Sequence, residues 1–208
     1  MSRLMSGLYE ASEWISRLAY LNILWVLFTL GGLVVFGIFP ATASVFTITR
    51  YWVMGKEDIP LFKTFWNSYK ENFGKVQIIG YVLVAIGAIL YYDYQFFSEK
   101  EGPMFFVIEL LTGSIIFIFS LVVLFIFPVF THYKLKTIEY FKNTLLISLS
   151  QLLLSIVMFI VTGLLVYALS SFSGLLLFFG LSLPAYWITW VAQIIFKRLE
   201  ELKTAKNG

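Results

Sequence analysis

Residues 36–50 read FGIFPATASVFTITR, and they close an uncharged stretch that runs from Leu18 to Thr49. How that stretch divides decides how often the chain crosses a membrane. At about 1.5 Å per residue its thirty-two residues would form a rod of about 48 Å, against a hydrocarbon core of about 30 Å. One straight helix is too long, and two full crossings, which need about 40 residues and a turn, do not fit either. Gly37 and Pro40 mark the expected break. Pro40 removes one backbone donor and crowds the preceding turn, and Gly37 weakens the same place. The expected arrangement is a span over about 18–39, then a short helix over about 41–54 that lies at the inner boundary or dips into it. A re-entrant hairpin is the competing arrangement.

Composition sets the class. The chain has 208 residues, 60% hydrophobic and 13% charged, with mean hydropathy +0.86, and a soluble domain carries about twice that charged share. The expected fold is all-α, a polytopic membrane helix bundle of about five spans in one membrane domain over 1–208. The spans fall at about 18–39, 76–97, 104–130, 145–169 and 175–196. The last two share one uncharged run, Thr144 to Phe196, divided at Ser170-Ser171-Phe172-Ser173-Gly174. Ala41-Thr42-Ala43 has the small residues of a signal-peptide cleavage site, but the apolar run before it exceeds the usual length of about 7–15 residues and cations follow it. Cysteine is absent, which excludes disulfides, thiolate nucleophiles and cysteine metal sites.

Charge sets the orientation. Of the fifteen cations, twelve fall in three segments, 40–75, 132–143 and the tail after Phe196. The loop after the second span has Lys100 against Asp93, Glu99 and Glu101, and the loop after the fourth has no charge. The positive-inside bias makes the three cationic segments and the C-terminus cytoplasmic and places the N-terminus outside. The N-terminal segment balances Arg3 and Arg17 against Glu10 and Glu13 and so carries no net side-chain charge to oppose translocation. A re-entrant first run would put it inside instead.

DIPLFKTFWNSYKENFGK, 58–75, is the most informative polar stretch. Leu61, Phe62, Phe65, Trp66, Tyr69 and Phe73 recur at helical spacing, while Lys63, Asn67, Lys70 and Glu71 take the other face. This predicts a cytoplasmic amphipathic helix over about 60–74, suited to the membrane interface, to packing on the span ends, or to docking a partner protein. IFP at 38–40 recurs at 126–128, each copy ahead of a cationic aromatic segment, a pattern compatible with a parallel repeat.

Within the spans, polar and small residues fall on single helical faces: Gln77, Gly80, Gly87 and Tyr91; Ser148, Gln151, Ser155 and Thr162; Ser182, Tyr186, Thr189 and Gln193. Helix packing explains such stripes, and a polar path for a neutral solute is the functional alternative. Glu109 is the one acid expected within a span, and with Gln151 and Gln193 it completes the intramembrane polar candidates. His132, the only histidine, reads as a boundary residue. No nucleophile elbow, paired zinc-spaced histidines or phosphate loop is present, so no catalytic residue, metal or cofactor is expected. The net charge of +3 is explained by topology, and nucleic acid is not an expected partner.

Gly37-x-x-Pro40-Ala41-Thr42, after a first span containing Asn22 and Trp25 and ahead of Pro60-Leu61-Phe62-Lys63-Thr64-Phe65-Trp66 and Asn72-Phe73, resembles the YesL-like family of bacterial integral membrane proteins. The resemblance covers residues 15–80 and continues more loosely to Phe127-Pro128. It implies no established activity. It does imply a multi-pass protein of the bacterial plasma membrane, of a family often encoded beside carbohydrate uptake systems and two-component sensors. The expected role is non-enzymatic and accessory to carbohydrate uptake or sensing. Beyond the lipid bilayer, the implied partners are sugar transporter subunits or a sensor kinase, and a small-solute transporter or channel is the alternative. Gly37, Pro40, Thr42, Phe65, Trp66 and Asn72, the matched positions, are the expected structural or docking residues.

Overall fold

In the computed structural model, which describes residues 3–207, the first helix ends at Gly31, well before Phe39. α1 (Arg3–Gly31) stops at the Gly31-Gly32 pair, and residues 32–37 form a turn rather than a kink within a span. The break therefore begins earlier than Gly37 and Pro40 suggest. Two adjacent glycines lower helix propensity by about 1 kcal/mol each relative to alanine, whereas Pro40 sits in the first turn of the next helix, where its missing N–H is not needed. Gly37 is the cap of that helix, and a side chain there would collide with the carbonyl oxygens of Phe28 and Thr29.

α2 (Ile38–Val53) then runs back along α1. The Trp14 and Trp52 rings lie 5.6 Å apart, and Trp25 Nε1 donates to Thr42 Oγ1 at 3.1 Å, so α1 and α2 are an antiparallel hairpin. At sixteen residues, α2 is about 24 Å long and falls short of the hydrocarbon core. It closes at Gly55, whose φ of +78° suits glycine, with Gly55 N–H donating to Trp52 O and Lys56 N–H to Tyr51 O.

The short helix expected over 41–54 packs within the bundle. Ten of the sixteen α2 residues are buried, and Ala41, Ala43, Val45 and Ile48 have no exposed surface. The small residues Ala41, Ala43 and Ser44 let neighbouring helices approach closely, and α2 sits against α1, α3, α4 and α8 as the centre of the molecule.

α3 (Leu61–Ser98) is one helix of thirty-eight residues where two were expected, over 60–74 and 76–97. A single Gly74, between Phe73 and Lys75, breaks nothing, since an isolated glycine costs only about 1 kcal/mol. α4 (Pro103–His132) begins with proline at its first position and matches the expected third span closely. The contacts of Gly87 with Phe119, Tyr94 with Gly113 and Phe97 with Phe105 run antiparallel between α3 and α4.

The expected fourth span, 145–169, is divided into α5 (Thr137–Ser150) and α6 (Leu152–Ser170) at Gln151. Hydroxyls there bond backbone carbonyls: Ser150 to Ile147, and Ser155 to both Ser148 and Gln151. Such bonds compete with the helical ladder. The fifth is divided into α7 (Ser173–Phe179) and α8 (Ser182–Asn207), bent by 53°. Among the described residues there is no strand. Among the described residues four helices, α1, α3, α4 and α6, are long and apolar enough to cross a membrane, and the bent α7–α8 pair makes a fifth where it counts as one span. The protein is a multi-pass helical membrane protein.

Candidate functional site

The matched residues gather around α2. Thr42 accepts from Trp25 and donates to Ile38 O at 2.7 Å, so the motif threonine ties the two arms of the first hairpin together. Pro40 is buried beside it. Phe65 is fully buried, with its ring 4.9 Å from Phe28. Thr47 and Ser68 hydroxyls share a hydrogen bond of 3.0 Å that joins α2 to α3.

The other matched residues on α3 face outward or into a chamber. Trp66 is 40% exposed, stacked on Tyr69 with Lys70 Nζ 4.8 Å above its ring, and Phe62 and Phe73 are exposed beside it. Lys63, Asn67 and Lys70 are exposed on the same half-helix. Asn72 bonds Ser68 O and lines a polar chamber between α2, α3 and the end of α4.

The three intramembrane polar candidates are not brought into one constellation. Gln193 reaches His132 Nδ1 at 3.4 Å, and His132 Nε2 lies 3.4 Å from Glu200 Oε1. Gln151, at the α5–α6 break, accepts from Arg198 at 3.4 Å. Glu109 is half-buried in an apolar groove with Tyr94, Phe106, Gly113 and Phe117. Among the described residues no three histidine, aspartate or glutamate side chains are placed to hold a metal ion. The polar stripes face inward over most of their length: Gln77, Ser148, Ser155, Thr162, Ser182, Thr189 and Gln193 are buried, whereas Tyr91, at the end of the first stripe, is exposed.

Asn22 has a role that composition and spacing did not indicate. It is fully buried; its Nδ2 donates to Leu177 O at 2.7 Å, and its Oδ1 accepts from Leu181 and Ser182 N–H at 2.9 and 3.0 Å. One amide therefore satisfies the backbone groups freed where α7 bends into α8. The signal available was a lone amide within an apolar run, which needs a partner.

The N-terminal part of α1 lies beside the segment that follows α2. Arg17 pairs with Glu57 at 3.1 Å and with Asp58 at 3.6 Å, which places the first half of α1 on the same face of the molecule as the cationic segment after α2. The hairpin returns the chain to the end of the molecule from which α1 starts. The terminal residues 1–2 lie outside the described residues.

Residues 18–94 match the family model described as a protein of unknown function, DUF624. Three proteins of Bacillus subtilis (strain 168) are similar over most of the chain. Uncharacterized protein YteU is 36% identical over 192 residues, 91% of this chain and 85% of the relative. Uncharacterized protein YesL is 40% identical over 146 residues, 70% of this chain and 68% of the relative. Uncharacterized protein YesV is 34% identical over 174 residues, 84% of each. No solved structure matches.

Proposed function

We propose, from the premise that the chain belongs to the DUF624 family of YesL-like proteins, that it is a non-enzymatic protein of the bacterial plasma membrane, accessory to carbohydrate uptake or sensing. It docks a transporter subunit or a sensor kinase through the first half of α3. The observation that carries the docking surface is the exposed Phe62, Trp66 and Phe73 beside Lys63 and Lys70. Aromatic anchors ringed by cations suit a protein interface. The carbohydrate context rests on the family resemblance. In this reading the cationic segments are cytoplasmic, and the N-terminal part of α1 lies with them.

The alternative, a solute path along the inward polar stripes, draws on buried Gln193, Thr189 and Ser155. The Thr189 hydroxyl is engaged by Ala185 O and by Thr49 Oγ1 of α2, and the Ser155 hydroxyl donates to Ser148 O and Gln151 O at the α5–α6 break, as packing alone would require, so the docking reading is preferred.

Purification from native membranes in mild detergent tests it. A transporter or kinase subunit is expected to accompany the intact chain and to be depleted at least fivefold by Trp66→Ala combined with Lys70→Glu. Recovery of neither, across repeated preparations, removes the proposal.

A further inference from the structure

The chamber that Asn72 lines has a volume of about 680 Å³ and is formed by α2, α3, the segment leaving α4, and α5. Three cations stand in its wall, Arg50, Lys75 and Lys134, against one carboxylate, Glu71. Arg50 belongs to the last turn of the most buried helix, and its Nε is buried without a hydrogen-bond partner. Among the described residues, none of these three cations forms an ion pair within 4.0 Å.

Arg50 is half-buried, and a buried Nε–H without an acceptor is costly. Glu71, the one carboxylate in the wall, pairs with none of the three cations, which leaves a net excess of positive charge for an acceptor from outside. A planar guanidinium fork suits the paired oxygens of a phosphate or carboxylate, and an excess of two positive charges favours the more highly charged group. The wall opposite Arg50 is stiffened: Tyr140 OH donates to Tyr133 O at 2.9 Å and accepts from Leu135 N–H at 3.1 Å. Burial, with Glu200 adding to it, pushes the Tyr133 phenol above its ordinary pKa, so it stays neutral and adds no competing anion.

We propose that this chamber binds a phosphate-bearing anion, held by Arg50 with Lys75 and Lys134 at its mouth. The phosphate belongs to an anionic lipid headgroup or to a soluble phosphate, and the two sources are separable. The chamber shares the first half of α3 with the Trp66 patch, but anion binding is read on the purified chain with no partner protein present, so its failure and the failure of docking are distinguishable.

The test uses the full-length chain in neutral detergent titrated with inorganic phosphate, and the same chain in phosphatidylcholine nanodiscs with and without cardiolipin, scored by lipid retention in native mass spectrometry. Saturable binding is expected in at least one arm. Arg50→Gln should weaken it at least tenfold and Lys134→Gln about threefold, while Lys100→Gln, exposed beyond the far end of α3, leaves it unchanged. Response to phosphate alone identifies a soluble ligand, and response to cardiolipin alone identifies a headgroup. If Arg50→Gln fails to fold, Lys75→Gln and Lys134→Gln, at exposed positions, decide the matter. No binding in either arm, or binding that Lys75→Gln and Lys134→Gln leave within twofold of the parent, overturns the proposal.

Discussion

Asn22 shows how much one side chain can carry in an apolar bundle. Its amide meets three backbone groups at the α7–α8 bend, and a buried polar group left without a partner costs about 1–3 kcal/mol. Asn22→Leu is therefore expected to destabilise the protein by about 2–4 kcal/mol, read as a lowered thermal unfolding midpoint in detergent. An unchanged midpoint would show that the bend finds other partners. Gly80 is constrained for a different reason: the Phe39 ring occupies the space a Cβ would need, so the inward small-residue stripe on α3 is, at this position, a seat for α2.

At the scale of elements, the α1–α2 hairpin depends on α3. The tip exposes Leu33, Val34, Val35 and Phe36, and its carbonyls at Phe36 and Val35 accept from Gln77 Nε2 at 2.9 Å and Tyr81 OH at 3.1 Å. Gln77→Leu with Tyr81→Phe removes both donors. At about 1 kcal/mol for each bond, amide exchange at residues 32–38 is expected to speed by about tenfold or more. Exchange unaltered by the pair would mean that the tip holds itself.

The hairpin was only partly legible in the sequence. Length arithmetic on the uncharged run required a break, and Gly37 and Pro40 drew it too far along, because a proline in a first helical turn looks the same in sequence as one that ends a helix. The ends of α4 were readable from Gly102-Pro103 and from the charges that follow His132. The divisions at Gln151 and at Gly180-Leu181 were not. Each depends on hydrogen bonds between distant backbone and side-chain groups or on serine bonds to local carbonyls, neither of which alters hydropathy. The burial of α2 was equally hidden, since its letters suit an interfacial helix and a central one alike.

Across the whole molecule, the hairpin and the four segments after it, α3, α4, α5–α6 and α7–α8, set the relation between the ends. Arg17 contacts Glu57, and Glu200 contacts His132 at the end of α4 that also lines the Arg50 chamber. The far end of α3, at Ser98, points the other way, about 57 Å from its start. The chain contains no cysteine, so single cysteines can be introduced at Ser12, Ser98 and Thr204, all exposed. With a membrane-impermeant maleimide on intact cells, Ser12→Cys and Thr204→Cys are expected to behave alike and Ser98→Cys oppositely. A mismatch between the first two would break the hairpin topology.

The turn at the hairpin tip also bears on the order in which the chain is made. Leu33 and Val34 adopt left-handed backbone, with φ of 53° and 63°, where glycine or asparagine would be easier. Their side chains are exposed and apolar, a choice that suits a lipid surroundings rather than water. The groups that quiet the tip's carbonyls lie about forty residues downstream, at Gln77 and Tyr81. Until α3 has left the ribosome, the hairpin holds acceptors that lipid cannot satisfy. Its final seating therefore waits on α3, and the first two helices of the chain are not the first to come to rest.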